Sequence, residues 1–329
     1  MDGLDARGSN SGSEMRILSF EASLPRELVH RRAVSEVFIT DFVHCGNGRS
    51  LAGAQWPRWH VFYGSNLPGV DSALVAETLR QAVIVVAHQR GVPLTHKFLL
   101  PHMELSVGTA DFDGREPVEV VVELDVVDSA GPADAPSSLT VAARFLHDGT
   151  EIGTGTASAR MLSAAAYERY RQPRAPSSIP GAGRLLEPGI VGHHSIRNVV
   201  LGAAVRPLAW PLHIDQSHPI FFDHPLDHAP GMLLLEAARQ ALRAASGAPD
   251  ADFSGFRADF FRMVEFNQPV EVTVSLPGPG QAMDAVAVDI VSGGSVLMSL
   301  KGGMATGRPR TPTPITSMEG ASAWQPPIR

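Results

Sequence analysis

The 329-residue chain contains one cysteine, Cys45, so neither an intrachain disulfide nor a cysteine zinc cage can form. That scarcity points to a reducing compartment, and a cytoplasmic protein is expected. Lysine is nearly missing too: Lys97 and Lys301 are the only two among 27 basic residues. Schiff-base chemistry therefore has few candidates, whereas arginine is plentiful for bidentate recognition of an anion such as phosphate. Long apolar runs are absent; VIVVA at 83–87 is far below the ~18–20 residues that cross a bilayer. The opening MDGLDARGSNSGSEM has no apolar core of a secretory signal and no lipidation motif, so residues 1–15 are expected to be disordered. Positive charge is not in excess. The formal charge is −7, which gives no electrostatic footprint for DNA or RNA. G-x-S-x-G, a Walker lysine motif and a dinucleotide glycine fingerprint are all missing; GTGTASA at 153–159 lacks the third glycine and the strand-to-helix setting. No cofactor is expected.

What is present is a repeat. VHRRAVSEVFI at 29–39 matches VGHHSIRNVVL at 191–201, Trp56-Pro57 answers Trp210-Pro211, and ETLRQA at 77–82 answers EAARQA at 236–241. Downstream, FLHDGTEIGTGTASA at 145–159 and IVSGGSVLMSLKGGMA at 290–305 both read as β-hairpins around Asp-Gly or Gly-Gly turns. Each half thus runs as a strand, a Trp-Pro loop, one long apolar helix and several valine-rich strands. An α+β unit is written twice, over 16–170 and 190–306. Residues 171–189, rich in proline, glycine and serine, are expected to link the halves, and residues 307–329, with five prolines, to form a flexible tail or a strap on the surface.

The two helices carry the polar residues of interest. GMLLLEAARQALRAASG at 231–247 is apolar around most of its circumference, with Pro230-Gly231 at its start and Gly247 as a natural stop. Glu236, Arg239, Gln240 and Arg243 fall at i, i+3, i+4 and i+7, a single polar stripe whose members need partners once buried. In the first half, 71–91, the stripe is Glu77, Arg80 and Gln81, with Ile84 where the second half has Arg243. Such stripes either dock the two halves through ion pairs or serve a site.

The loop before the second helix favours a site. HPIFFDHPLDHAPGMLLLEAARQ at 218–240 resembles the central-helix signature of hotdog-fold acyl-thioester enzymes, among them β-hydroxyacyl carrier-protein dehydratases: two phenylalanines, a histidine, Pro-Gly, then E-A-x-x-Q. Over roughly residues 25–305, and in DHPLDHAPGMLLLEAARQA at 223–241 above all, the chain is more closely similar to the A-factor-type γ-butyrolactone synthases of bacterial signalling. The resemblance implies a tandem (double) hotdog fold, each repeat a long central helix wrapped by antiparallel sheet. It also implies transfer of a β-ketoacyl group from an acyl carrier protein or CoA thioester to the hydroxyl of dihydroxyacetone phosphate, giving a phosphorylated keto-ester that can close to a butenolide.

That chemistry needs a base for the alcohol, donors for the tetrahedral oxyanion and a cation for the phosphate. Glu236 is the expected base. Arg239 and Arg243, with Arg80 in the first half, are the expected anion ligands, and the amides of Gly231 and Met232 at the positive end of the helix the oxyanion site. His224 either relays a proton or, like Asp227 and His228, satisfies loop backbone groups; all three stand as candidates. Glu77 is either a second catalytic carboxylate or the ion-pair partner of Arg80. His193-His194 is expected at the surface, and Arg31, Arg32, Arg169, Arg171 and Arg174 are either ordinary solvated arginines or residues that meet an acidic carrier protein. A metal is not expected. Although His213, His218, His224 and His228 cluster in sequence, Pro225 disfavours a helix through HPLDH. A hydratase, dehydratase or thioesterase, or a non-catalytic acyl-binding module, remains a competing reading, and self-association stays open.

Overall fold

The computed structural model describes residues 18–63, 69–110, 112, 115–171, 183–278 and 286–306. Both expected disordered ends, 1–15 and 307–329, and residues 172–182 of the expected linker lie outside the described residues.

Strands and helices follow in the order β1 (Ile39–Gly46), β2 (Arg49–Trp56), α1 (Ser72–Gln89), β3 (Lys97–Val107), β4 (Val118–Ala130), β5 (Ser138–His147), β6 (Thr150–Leu162) and α2 (Ala164–Arg171). The second half contributes β7 (Ala209–Pro211), α3 (Gly231–Ser246), β8 (Ala251–Phe260), β9 (Glu271–Ser275), β10 (Val286–Ser292) and β11 (Ser295–Thr306). Period-two patterning explains the strands. Along β4, Val120, Val122 and Leu124 are buried and alternate with the more accessible Glu119, Glu123 and Asp125. Turn chemistry explains the hairpins: Asp148-Gly149 (φ 48° and 73°) closes β5 to β6, and Gly293-Gly294 (φ 55° and 76°) closes β10 to β11.

All eleven strands form one sheet in the order β1-β2-β4-β5-β6-β3-β8-β11-β10-β9-β7. The halves join where β3 pairs antiparallel with β8, His102 opposite Asp259 and Ser106 opposite Gly255. Both long helices lie in this shared saddle and touch each other. Helix α1 is rich in β-branched residues, which are middling helix formers, yet Val75, Val83, Ile84, Val85 and Val86 are all buried. Burial on nearly every side, not intrinsic propensity, holds it.

One expected feature differs. The Trp-Pro pairs do not form loops: Trp56 ends β2 and Trp210 lies inside β7. Both indoles are buried, and Trp56 Nε1 donates to Thr78 Oγ1 in α1 at 2.9 Å, fastening strand to helix. A full strand before the second Trp-Pro is also missing, since residues near 201 make only isolated bridges such as Leu201 with Leu212.

Candidate active site

The two helical stripes fold into two clusters that match almost bond for bond. In the first, the fully buried Glu77 accepts through Oε1 from Arg31 (Nε 3.1 Å, Nη2 2.7 Å), Arg80 Nη2 (2.7 Å) and Gln81 Nε2 (2.7 Å), and through Oε2 from Arg80 Nε (2.8 Å). Gln81 then ties the helix to the preceding segment, donating to Glu36 O and accepting from Phe38 N. In the second, Glu236 pairs with His193 Nε2 (2.7 Å), Gln240 Nε2 (2.8 Å) and Arg239 Nε (2.7 Å), while Gln240 donates to Asn198 O and accepts from Val200 N.

Both carboxylates are held in the ionised form. Burial pushes Glu77 up, but Arg31 and Arg80 outweigh it and hold the group down at about 2. Glu236 is likewise driven below the usual carboxylate range, burial being overcome by Arg239 and by the hydrogen bond to His193. A carboxyl whose folded pKa is depressed contributes stability at pH above its ordinary value of 4.5, and that contribution disappears as pH falls toward about 2. The urea midpoint is therefore expected to hold steady from neutrality to near pH 5 and to drop steeply below it. Glu77→Gln flattens part of that acid limb; an unchanged limb would show that Glu77 does not carry it.

A cavity of about 940 Å³ opens beside the first cluster. Its polar wall carries Arg31, Arg80, His30 and His224, its apolar wall Val83, Ile84, Phe98, Leu100, Leu234 and Phe260. Gly231 and Met232, the first residues of α3, face it as well. The preceding Pro230 offers no side-chain cap and its carbonyl takes the amides of Leu233 and Leu234, so the amides at Gly231 and Met232 lie at the cavity wall with the positive end of the helix dipole. Loop residues 224–228 form the rim. Asp223 accepts from the backbone amides of Arg32 (2.5 Å) and Ala33 (2.9 Å), which fixes the loop against the first half, and lies 3.7 Å from His224 Nδ1. Burial lowers the His224 pKa, with Asp223 opposing and Arg31 and Arg80 reinforcing, so the imidazole is neutral at neutral pH.

The expected site residues thus divide. His224, Arg80, Gly231, Met232, Asp227 and His228 share the cavity. Glu77 stands directly behind it, gripping the two arginines that face it. Glu236, Arg239 and Arg243 do not line it: they are 1%, 3% and 4% exposed, and Arg243 is bound to Ala251 O and Val191 O. The expectation that Glu236 and Arg239 wall the channel is corrected accordingly, because His193 and Asp71 take up their polar atoms. Asp227 is held by Arg171 (2.7 Å) and Tyr167 (2.8 Å), and His228 Nδ1 by Asp227 (2.7 Å), which makes this pair a brace for α2 at the cavity mouth.

Two further expectations are corrected. His193 is buried against Glu236 rather than at the surface. Arg31 is buried on Glu77, and Arg171 is bridged to Asp227 and Glu265, so neither is open to a protein partner. Arg174 lies outside the described residues. Sequence reasoning misplaced Arg31 and His193 and passed over His30 and Asp71. The repeat itself held a signal for the first two: Arg31-Arg32 and His193-His194 occupy the same place in the matched segments.

Two strand-wrapped helices on one continuous antiparallel sheet define a double hotdog fold, here with an amphiphilic cavity between one helix flank and the start of the other helix. Residues 13–163 and 175–280 match the A-factor biosynthesis hotdog domain, and the chain belongs to that family. It is 35% identical over 253 residues to the 2-oxo-3-(phosphooxy)propyl 3-oxoalkanoate synthase of Streptomyces virginiae, covering 75% of this chain and 85% of the relative. With the Streptomyces coelicolor protein of the same name it shares 33% over 305 residues, 88% of this chain and 94% of the relative. Among solved structures, an acyl-ACP thioesterase from Bacteroides thetaiotaomicron aligns at 11% identity with a TM-score of 0.49, covering 79% of this chain and 98% of that one.

Proposed function

We propose that the chain is an acyltransferase that moves a β-ketoacyl group from a carrier-protein or CoA thioester to the hydroxyl of dihydroxyacetone phosphate, the reaction named for its Streptomyces relatives. The observation that carries this reading is one cavity with an arginine pair and a neutral histidine on one wall and aliphatic and aromatic side chains on the other. Such a space suits a substrate set that is anionic at one end and greasy at the other.

His224 takes the hydroxyl proton as the alcohol oxygen attacks the thioester carbonyl. The amides at Gly231 and Met232 receive the developing oxyanion. When the tetrahedral centre collapses, the C–S bond breaks, the thiol leaves with the proton from His224, and an ester remains. Arg80 and Arg31 hold the phosphate, and Glu77 positions both guanidiniums while staying ionised. The ester can then lose water in an intramolecular aldol condensation to give a butenolide phosphate. Glu236, Arg239 and Arg243 buttress the second half. Supporting a transferase over a dehydratase, Arg31 and Arg80 line the cavity together with His224, and no glutamate of either helix stripe does. A cytoplasmic location fits the single exposed cysteine.

Mass spectrometry of an incubation with a β-ketoacyl thioester and dihydroxyacetone phosphate tests the proposal. A phosphorylated keto-ester or its butenolide is expected. Free β-keto acid alone would make the protein a thioesterase, and no turnover with retained acyl binding would make it a binding module.

A further inference from the structure

The two helix clusters are related by the repeat, and among the described residues the large cavity is lined by the arginines of the first cluster and by none of the second. Glu77, Arg80 and Gln81 correspond to Glu236, Arg239 and Gln240 with the same hydrogen bonds. The correspondence extends to the loops: His60 Nδ1 accepts from the amides of Phe62 and Tyr63, as His218 Nδ1 accepts from those of Ile220 and Phe221. At two places where the described residues of the halves diverge, the change closes the second position. Arg80 is 20% exposed and, among the described residues, donates to Glu77 and to Val29 O, leaving its outer face toward the cavity. Arg239 is 3% exposed, donates through Nη1 to Asp71 Oδ1 at 2.9 Å, and carries the Phe62 ring with its centroid 6.0 Å from Cζ.

The same aspartate closes the helix start. Asp71 caps α1 by accepting from the amides of Ala73 (2.8 Å) and Leu74 (3.1 Å), and Asp252 takes the amide of Ser72 (3.2 Å). At the corresponding start of α3 stands Pro230, which has no side-chain acceptor to offer. One carboxylate thus satisfies both features that bind an anion in the open site, the helix amides and the guanidinium.

We propose that of the two helix clusters only the first takes a ligand, and that Asp71, with Phe62, fills the second position from within as an internal anion. This rests on reading the open cavity as the reaction site. It follows that the two repeats have divided their labour: the first supplies the arginines and the second the loop and helix start, so neither half is active alone.

Labelling the full chain with phenylglyoxal, followed by peptide mapping, reads both arginines in one experiment. In the wild type Arg80 is expected to react at least about tenfold faster than Arg239, which needs a local opening to be reached. Asp71→Ser, whose hydroxyl can still cap α1, is expected to raise labelling of Arg239 several-fold and leave that of Arg80 unchanged. Asp71→Asn serves as a second variant should the serine protein fail to fold. Equal labelling of the two arginines in the wild type would overturn the inference, as would an Arg239 that stays refractory in both folded variants. Protection of Arg80 by dihydroxyacetone phosphate is scored separately: its absence counts against the proposed function and leaves the closure of the second position standing.

Discussion

Replacing His224 with alanine is expected to lower the rate of acyl transfer at saturating substrates by about 10²- to 10⁴-fold, the usual contribution of a positioned general base. Stability should barely change, because the side chain is 36% exposed and its only carboxylate neighbour, Asp223, is already satisfied by the amides of Arg32 and Ala33. The pH profile carries the same signature. Burial lowers the His224 pKa below the ordinary 6.5, with the nearby arginines adding to the shift, so the basic form persists below that value. The acid limb of the wild-type rate should therefore lie below pH 6.5 and vanish in the variant's residual rate. A wild-type rate in His224→Ala would remove the histidine from the chemistry.

The second large effect is one of folding. Glu236→Gln leaves His193, Arg239 and Gln240 around a neutral amide in a site closed to solvent. Breaking a buried ion pair by removing one partner costs about 3–5 kcal/mol. Asp71 and Asp252, at 2.9 and 3.7 Å, still compensate Arg239, which places the loss toward the lower end. Denaturant unfolding should show it as a fall in the midpoint, while turnover per folded molecule stays within about twofold. The opposite pattern, a lost rate on an intact fold, would return the role of base to Glu236.

Much of this architecture was legible in the chain. Pro230-Gly231 and Gly247 bracket α3, Asp148-Gly149 and Gly293-Gly294 mark two hairpins, and the matched helices show that one unit occurs twice. The helical spacing also places Glu236, Arg239 and Gln240 on one stripe. What spacing leaves undetermined is what that stripe faces. The partners that seal Arg239 and Glu236 come from 168 and 43 residues away, and no local pattern joins Asp71 or His193 to α3. Arg80 and Arg239 look equivalent as residues of a helix, and only the long-range neighbours separate them. The sheet shared by the two units follows from the double hotdog reading, but its exact seam does not: the pairing of β3 with β8 is set by register between edges of different repeats, such as Met103 opposite Ala258.

Binding of dihydroxyacetone phosphate to the wild type, Arg80→Gln and Arg239→Gln proteins, followed by titration calorimetry, bears most directly on where the reaction site lies. Loss of a charge-assisted contact worth about 1.5–3 kcal/mol should weaken binding in Arg80→Gln by about tenfold or more. Folded Arg239→Gln should bind like the wild type. Undiminished affinity in Arg80→Gln, with loss in folded Arg239→Gln, would place the phosphate at the second helix and contradict the assignment of the site to the open cavity.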